Sequence, residues 1–400
     1  MTYRAVDVMG FAGGFTLGVV QAGFELVGKR ELKGGFGVPN CEANRHLLGS
    51  RWVAEVGHES EWTPVDTELV FGNPPCSGFS VMSAKTFRGA DSKINHCMWA
   101  FVEYVARVRP VVAVFESVQQ AYTSADGRVL MTTLRDRLDE LTGWHWNLHH
   151  VLHNAYSVGG AAQRRRYFWL VSRVPFGVEE PGPYEYPLLR DVIGDLSPLG
   201  QTWLPQPYRS TYHLWVEPRR RTDGVVDGHV YMDIPLTRRI RELLAAVPWL
   251  PGEDLGKVLE RHWSEYGRLP DSFNEEKIVK NEFHVGYTTP TRWDGDKMGR
   301  VITGGALQMV VHPWLDRTIT HREAARILGF PDDWLIAPLR GKSGIHLTWG
   351  KGITVDCGRW IAGWIKRALD GQRGSDAGKL VGNREWTIDV TNSYRRFVLG

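Results

Sequence analysis

The chain has 400 residues, 42% of them hydrophobic and 23% charged, with a formal net charge of +3. This composition is that of a globular protein, and the length exceeds what one hydrophobic core organises, so we expect two lobes. The mild positive charge permits nucleic-acid binding without establishing it. The four cysteines match no zinc spacing or disulfide framework, which favours a reducing compartment. Strand-like sequence begins at residues 3–9 without a signal-peptide pattern, and no apolar run is long enough for a membrane span, so we expect a cytoplasmic protein.

The first 175 residues alternate between short β-rich runs and helix-like stretches. This alternation predicts a doubly wound α/β sheet. The β-rich runs are residues 5–8, 24–27, 69–71, 111–115 and 167–171, and the helical stretches include 98–108 and 130–141.

A glycine-rich turn follows the first predicted strand, in residues 7–18, DVMGFAGGFTLG. Glycines there let backbone amides approach a ligand closely, although such turns occur in many α/β folds. Glu31 follows the second strand, where a doubly wound nucleotide site places an acid that accepts from ribose hydroxyls. Each feature alone is weak evidence for a nucleotide site.

Residues 71–80 read FGNPPCSGFS and place one cysteine in a stiff loop. Pro74 and Pro75 fix two consecutive φ angles and remove two backbone donors, so Cys76 lies on a non-helical loop after an apolar strand. A lone cysteine at a strand end is more often a buried structural residue. The interpretation of Cys76 as a nucleophile therefore depends on the other motifs.

Two charged motifs lie near later strands. Glu116 ends the run 111–115, at the carboxyl edge where open α/β sheets place functional groups, although a structural salt bridge is the alternative. Residues 163–170, QRRRYFWL, form a basic cluster that could equally be a solvated sheet edge.

The composition changes after a Pro-rich passage at 174–188, and residues 190–315 are irregular, with helices predicted at 236–246 and 255–266. Basic residues interleaved with aromatics there suit phosphate anchoring and base contact, although the arginines at 238–241 equally fit a solvated helix face. These residues are Trp203, Tyr208, Arg209, Tyr212, Trp215, Arg219, Arg220, Arg221, Arg238, Arg239 and Arg241.

Thr320 and Glu323 form a capping box that predicts a helix start, and a last amphipathic helix is expected within 349–369. The expected domains are 1–185, 186–330, a return to the first lobe at 331–370, and a β appendage at 371–400 with no readable role.

The Pro-Pro-Cys loop resembles the nucleophile loop of the cytosine-C5 DNA methyltransferases, and five further blocks follow that family's order to about Leu369. The chain is similar to the compact prokaryotic or phage type, found among restriction-modification enzymes. The resemblance implies a Rossmann-like methyltransferase sheet with a smaller recognition domain. It also implies that Cys76 attacks cytosine C6, that Glu116 acts on N3, and that Arg165, counted from Gln163 in the family's Q-x-R-x-R block, holds the base.

The same resemblance implies S-adenosylmethionine as cofactor, with S-adenosylhomocysteine as product. In ungapped register the family's phenylalanine falls on Met9 and its first glycine on Phe11; alternatively, Phe11-Ala12-Gly13 is the FAG of a shortened loop. Glu55 lies 21 residues before Cys76, where the family has an aspartate near the adenine. The expected cofactor contacts are Met9, Phe11, Gly13, Gly14, Glu31, Glu55 and Pro75.

The implied partner is double-stranded DNA, bound by a monomer that rotates the target base into its pocket. The expected DNA contacts are Ser80, Gln163, Arg164, Arg166, Arg219, Arg220 and Arg221, and no metal is expected. The block 317–334 is expected to be scaffold, with Arg322, Glu323 and Arg326 in ion pairs. Ser117 and Lys351 depart from asparagines of the family. An RNA substrate, a catalytically silent DNA-binding module and a modified cofactor or cytosine remain alternatives.

Overall fold

The computed structural model describes residues 2–35, 37–76, 78–79, 89, 92–174, 185–196, 238–285, 289–302, 310–335, 349–371 and 385–391. The chain divides into two compact units, Met1–Tyr186 with Gly352–Gly400, and Pro187–Lys351. The first boundary lies one residue beyond the expected one. The return to the first unit comes at residue 352 and not at 331. The reason is that Asp332 pairs with Arg322 and Arg326, and Trp349 Nε1 donates to His321 Nδ1, which ties Asp332 and Trp349 to the second unit.

Ten strands lie within the described residues, eight of them in one sheet. The strands are β1 (Arg4–Val8), β2 (Glu25–Glu31), β3 (Val53–Val56), β4 (Leu69–Gly72), β5 (Val112–Ser117), β6 (Asn147–Asn154), β7 (Arg165–Ser172), β8 (Thr291–Arg292), β9 (Val310–Val311) and β10 (Glu385–Asp389). The order in the large sheet is β10-β6-β7-β5-β4-β1-β2-β3, and β8 pairs with β9 in the second unit.

The helices pack on both faces of the large sheet, as expected for a doubly wound fold. On one face Phe115 of β5 stacks on Trp169 and contacts Phe101, and on the other Phe15 contacts Phe71 and Phe168. The helices are α1 (Gly14–Gln21), α2 (Gly37–Ala43), α3 (Arg45–Leu48), α4 (His96–Val108), α5 (Gln120–Thr123), α6 (Ala125–Thr142), α7 (Leu189–Ile193), α8 (Arg238–Ala246), α9 (Leu255–Tyr266), α10 (Glu275–Lys280), α11 (His321–Ile327) and α12 (Val355–Leu369). Among the described helices, none is long and apolar enough to cross a membrane.

The strand order creates a switch point at β1, which pairs in parallel with β2 on one side and with β4 on the other. β5 continues in parallel beyond β4, whereas β7 runs antiparallel to β5. The carboxyl ends of β1, β4 and β5 and the amino end of β7 therefore share one edge of the sheet. Open α/β sheets place their ligands at such an edge.

Within the segment 371–400, expected as a β appendage, residues 385–389 form an edge strand of this sheet. β10 pairs in parallel with β6, from Glu385 opposite Leu148 to Asp389 opposite Leu152. Glu385 Oε1 lies 2.8 Å from His150 Nε2, and the Trp386 ring stacks on His149. Because β6 is distant in sequence, this pairing cannot be predicted from residues 385–389 alone.

In the second unit the ion pairs expected around α11 are confirmed. The Glu323 carboxylate accepts two hydrogen bonds from Arg317, at 2.7 and 2.9 Å, and one from the Thr320 amide in the predicted capping box. Arg322 pairs with Asp332, and Arg326 pairs with Asp332 and Asp195. The Glu323 carboxylate of this block is buried, whereas Asp332 and Asp195 are exposed.

Candidate active site

The nucleophile loop leaves the sheet at the end of β4, a strand that is buried along its whole length. Gly72 is required there, because a Cβ on it would lie 2.1 Å from the Val8 carbonyl oxygen. The next residue, Asn73, donates its backbone N–H to the same oxygen at 3.2 Å. The loop is thus fixed to β1 before Pro74, which is buried, and Pro75, which is exposed, lead to the half-buried Cys76.

Glu116 occupies the end of β5 with only 1% of its surface exposed. Its carboxyl oxygens have two different partners: Oε1 lies 2.5 Å from Arg166 Nε, and Oε2 accepts a hydrogen bond from the Asn73 side-chain amide. Burial raises the pKa of Glu116, while Arg166 and Arg164 oppose that rise. The net upward shift means that Glu116 keeps its proton to a higher pH than an ordinary glutamate does.

Burial also raises the pKa of the Cys76 thiol, and the Glu116 charge adds to the rise. Arg166, a backbone hydrogen bond from Val118, and Arg164 act in the opposite direction. Cys76 therefore rests as a thiol, and its conversion to a thiolate becomes easier when Glu116 is neutral. The acid and the nucleophile are coupled electrostatically.

The three consecutive arginines before and within β7 point in alternating directions, as side chains on a strand must. Arg164 is buried and Arg166 is largely buried, with Arg166 at Glu116, whereas Gln163 and Arg165 are exposed. The structure brings Arg166, and not Arg165, to the acid, and the base contact assigned to Arg165 remains a prediction. Three adjacent arginines supply the R-x-R spacing once, as Arg164 and Arg166, a pair that lies one residue earlier than the count from Gln163 places it.

Arg164 connects the arginine pair to the C-terminal part of the first unit. Its Nε donates to the Gly352 carbonyl at 2.7 Å, and its backbone N–H donates to Asn154 Oδ1 at 2.7 Å. Burial, reinforced by the Arg166 charge, lowers the pKa of Arg164 to about 9. Arg164 therefore serves as a packed support beneath the site.

The glycine-rich turn after β1 has an unusual backbone. Met9 and Phe11 have positive φ angles of 60° and 41°, and Gly13 has 89°. A side chain in this region costs about 1–2 kcal/mol, so the conformation at Phe11 is one that glycine adopts more readily. This supports the ungapped register, in which Phe11 takes the place of the family's first glycine. A Cβ on Gly10 would lie 2.1 Å from Asp7 Oδ2, so the turn passes directly over that carboxylate.

Beneath the turn lies a fully buried ion pair that sequence analysis did not identify. Asp7 Oδ2 accepts from Lys29 Nζ and from Thr16 Oγ1, each at 2.5 Å, and both charged side chains have no exposed surface. The alternation within β2 places Lys29 on the same face as Glu31, but its partner Asp7 follows only from β1 lying beside β2. A buried charge of this kind is retained only when it is paired.

Glu31, the expected ribose contact, lies at the end of β2 and is 5% exposed. It accepts backbone hydrogen bonds from Gly37 at 3.1 Å and from Leu32 at 3.3 Å. Burial raises the pKa of Glu31 to about 7, with Lys29 opposing and Asp7 reinforcing the rise. A Cβ on Gly37 would meet Glu31 Oε2, Lys29 Cε and the Phe11 amide nitrogen within 3.0 Å, so the acid, the lysine and the turn converge.

Glu55 is held by structural partners. Its carboxylate lies 3.2 Å from Arg30 Nε and accepts the Thr63 backbone N–H at 2.7 Å. The adenine contact assigned to Glu55 remains a prediction. Ser80 and the expected DNA contacts Arg219, Arg220 and Arg221 lie outside the described residues, as do the aromatic residues at 203–215. The helix predicted at 236–246 is α8 from Arg238 to Ala246, and its first two predicted residues also lie outside the described part of the chain.

Comparisons with known proteins identify relatives of this chain. A family model described as C-5 cytosine-specific DNA methylase matches residues 3–367. The chain is 26% identical over 388 residues to the type II methylase M.HgiDII of Herpetosiphon aurantiacus, covering 93% of this chain and 97% of that one. It is 25% identical over 312 residues to DNA (cytosine-5)-methyltransferase 4 of Arabidopsis thaliana, covering 68% of this chain but only 20% of the plant protein. The chain thus spans about a fifth of the length of that relative.

Among solved structures, the chain is similar to a protein encoded within a prophage (E. coli) and described as a DNA modification methyltransferase. The two share 16% sequence identity with a TM-score of 0.61, over 92% of this chain and all of the other. This likeness shows a common fold.

Proposed function

The chain belongs to the C-5 cytosine-specific DNA methylase family, and we propose that it transfers a methyl group from S-adenosylmethionine to C5 of cytosine in double-stranded DNA. The observation that carries the proposal is the convergence of Cys76, Glu116 and Arg166 at one edge of the sheet. A nucleophile, a carboxyl group with a raised pKa and a permanent cation are the groups that addition to a cytosine ring requires.

In the proposed mechanism the Cys76 thiolate forms a bond to C6 of the cytosine. The electron pair of the C5–C6 double bond then moves toward C5 and makes that carbon nucleophilic. Glu116, protonated, donates to N3 and makes C6 more electrophilic, and Arg166 faces the base in the place assigned to Arg165 by sequence. C5 then bonds to the methyl group as S-adenosylhomocysteine leaves, and loss of the C5 proton to water or hydroxide restores the C5–C6 double bond and expels the thiolate.

The residues around the glycine-rich turn fit the proposed cofactor. The turn presents backbone amides where Gly10 and Gly37 leave no room for a side chain, and Glu31 offers a buried carboxylate for ribose hydroxyls. Met9, Phe11, Gly13, Gly14 and Pro75 complete the proposed contacts, and Glu55 is retained for the adenine. When bound there, S-adenosylmethionine supplies an electrophilic methyl group.

The proposal includes base rotation, because C5 and C6 of a paired cytosine are buried in the duplex. Ser80, the exposed Gln163, and Arg219, Arg220 and Arg221 are proposed to contact DNA, and the exposed Arg165 is reassigned from the base to the phosphates. A monomer suffices, since one rotated base needs one active site. All four cysteines are free, which fits the cytoplasm.

The test is incubation of the purified protein with labelled S-adenosylmethionine and cytosine-rich duplex DNA, followed by mass spectrometry of the digested nucleosides. We expect 5-methylcytosine with the wild type and none with Cys76→Ala. A matched control is Cys97→Ala, which changes another free cysteine. Transfer to structured RNA but not to DNA would replace the proposed substrate, and full transfer by Cys76→Ala would remove the proposed nucleophile.

A further inference from the structure

We propose that Asn73 is a positioning residue that fixes the Glu116 carboxyl group for donation to the cytosine ring. The inference rests on the proposed function and deepens it. In this proposal the loop that carries Cys76 also orients the Glu116 carboxyl group.

The geometry places Asn73 between two parts of the site. Its backbone N–H donates to the Val8 carbonyl at the end of β1, and its side-chain amide donates to Glu116 Oε2 at the end of β5. Since Cys76 follows three residues later, one short segment holds both the nucleophile and the acid. A shift of either strand end is transmitted to the Asn73 amide.

The two oxygens of Glu116 are divided between different kinds of partner. Oε1 faces the Arg166 guanidinium at 2.5 Å, and Oε2 faces the neutral Asn73 amide. Arg166 alone would leave the carboxyl group free to rotate about its last torsion, which is a broad and soft one. The second contact fixes the plane of the group, and the neutral partner lets Oε2 be the oxygen that carries the proton at little electrostatic cost.

The neighbouring residue on β5 does not supply this contact. Ser117 follows Glu116, is fully buried, and its hydroxyl has no hydrogen-bond partner within the described part of the chain. Successive side chains on a strand point to opposite faces, so Ser117 points away from the acid. Among the described residues, the side-chain amide that reaches Glu116 therefore comes from the Cys76 loop.

The test measures single-turnover methyl transfer against pH for the wild type and for two variants of Asn73. Asn73→Ala removes the donor, and Asn73→Asp keeps the size but replaces the amide with a second carboxyl group. Asn147→Ala is the matched control, because it removes an asparagine side-chain hydrogen bond, to the Ser172 carbonyl, at the other end of the sheet. The affinity for S-adenosylmethionine and thermal unfolding are measured for each variant.

We expect the transfer rate of Asn73→Ala to fall about 10- to 100-fold, the scale for losing one hydrogen bond to an ionisable group, with unchanged cofactor affinity. The amide stabilises the carboxylate, so its removal raises the pKa of Glu116 further, and the alkaline limb of the rate profile moves to higher pH. Asn73→Asp should lose more activity and move that limb further, because two carboxyl groups then face each other. A purely structural role would lower the rate equally at every pH.

Wild-type rates and an unmoved alkaline limb in a folded Asn73→Ala or Asn73→Asp protein would overturn the inference and leave the proposed function intact. An equal effect of Asn147→Ala would overturn it as well, since the loss would then reflect general loosening. Absence of transfer by the wild type would instead overturn the proposed function, and with it this inference.

Discussion

Two glutamates of this protein, one in each compact unit, are equally buried, but their pKa values are shifted in opposite directions. Glu116 and Glu323 are each 1% exposed, and each lies beside an arginine. Burial raises the pKa of Glu116, whereas at Glu323 the pKa is lowered to about 2, because the opposing interactions with Arg317 and His312 outweigh burial. Burial alone therefore does not decide the charge of a carboxyl group.

The difference lies in the number and kind of partners. Glu323 receives two hydrogen bonds from Arg317 and one from the Thr320 amide, and His312 lies 3.3 Å away. Glu116 has one contact with Arg166 and one with a neutral amide. A carboxylate whose lone pairs are all occupied by donors is a structural anion, whereas one with fewer donors can exchange a proton. By this criterion Glu323 is structural and Glu116 is suited to acid catalysis.

The largest expected effect is on the transfer rate at Glu116. Glu116→Gln keeps the shape but has no acidic proton, so we expect the rate of methyl transfer to fall about 10²- to 10⁴-fold, the contribution typical of general acid catalysis. Thermal unfolding of the variant is measured alongside, because the substitution also removes the charge partner of Arg166. A transfer rate within threefold of the wild type would contradict the role of Glu116 as the general acid.

The matching change at Glu323 should act on stability. Glu323→Gln leaves Arg317 buried without its charge partner, and we expect a loss of about 3–5 kcal/mol in the free energy of unfolding. Urea denaturation measures it, and transfer per folded molecule should be unchanged. A stable Glu323→Gln protein with impaired transfer would assign the 317–334 block to catalysis.

The lowered pKa of Glu323 also predicts that the free energy of unfolding depends on pH. The folded-state pKa of about 2 lies below the ordinary value of 4.5. The stabilisation is present above the unfolded-state pKa and is lost as the pH falls from about 4.5 toward 2, by about 3 kcal/mol in total. The difference in the free energy of unfolding between the wild type and Glu323→Gln should be smaller at pH 3 than at pH 6. An equal difference at both pH values would contradict the assignment.

The arginines of β7 offer a comparison within three residues. Arg166→Lys loses the planar donor fork at Glu116, so we expect about a tenfold lower rate. Arg165→Lys keeps a positive charge at an exposed position and should leave the transfer rate within about twofold, as surface changes usually do. The reverse ranking would restore the assignment of Arg165 to the base.

The smallest expected effect concerns cofactor affinity. Burial raises the pKa of Glu31 to about 7. Since the ionised form accepts best from ribose hydroxyls, we expect the affinity for S-adenosylmethionine to rise several-fold between pH 6 and pH 8. Calorimetry across that range, with Glu31→Gln as the flat control, checks the assignment. A pH-independent affinity of the wild type would separate Glu31 from the cofactor.

Local sequence was sufficient for the features that depend on neighbouring residues. The Pro-Pro-Cys loop, the helix start at Thr320 and the strand that ends at Glu116 each follow from adjacent residue types. Three features were not predictable, because they depend on which strands pair. These are the exposure of Arg165, set by the register of β7; the Asp7–Lys29 ion pair, set by β1 lying beside β2; and the edge strand β10, whose partner β6 is distant in sequence.

The most direct test of the account is a covalent trap at Cys76. A duplex that carries 5-fluorocytosine cannot release the fluorine as a cation, so addition to C6 followed by methyl transfer leaves the protein attached to DNA. The account predicts an adduct in denaturing mass spectrometry that maps to the Cys76 peptide, requires S-adenosylmethionine, and is absent in Cys76→Ala. An adduct on Cys41, Cys97 or Cys357, or no adduct while DNA and S-adenosylmethionine are bound, would contradict it.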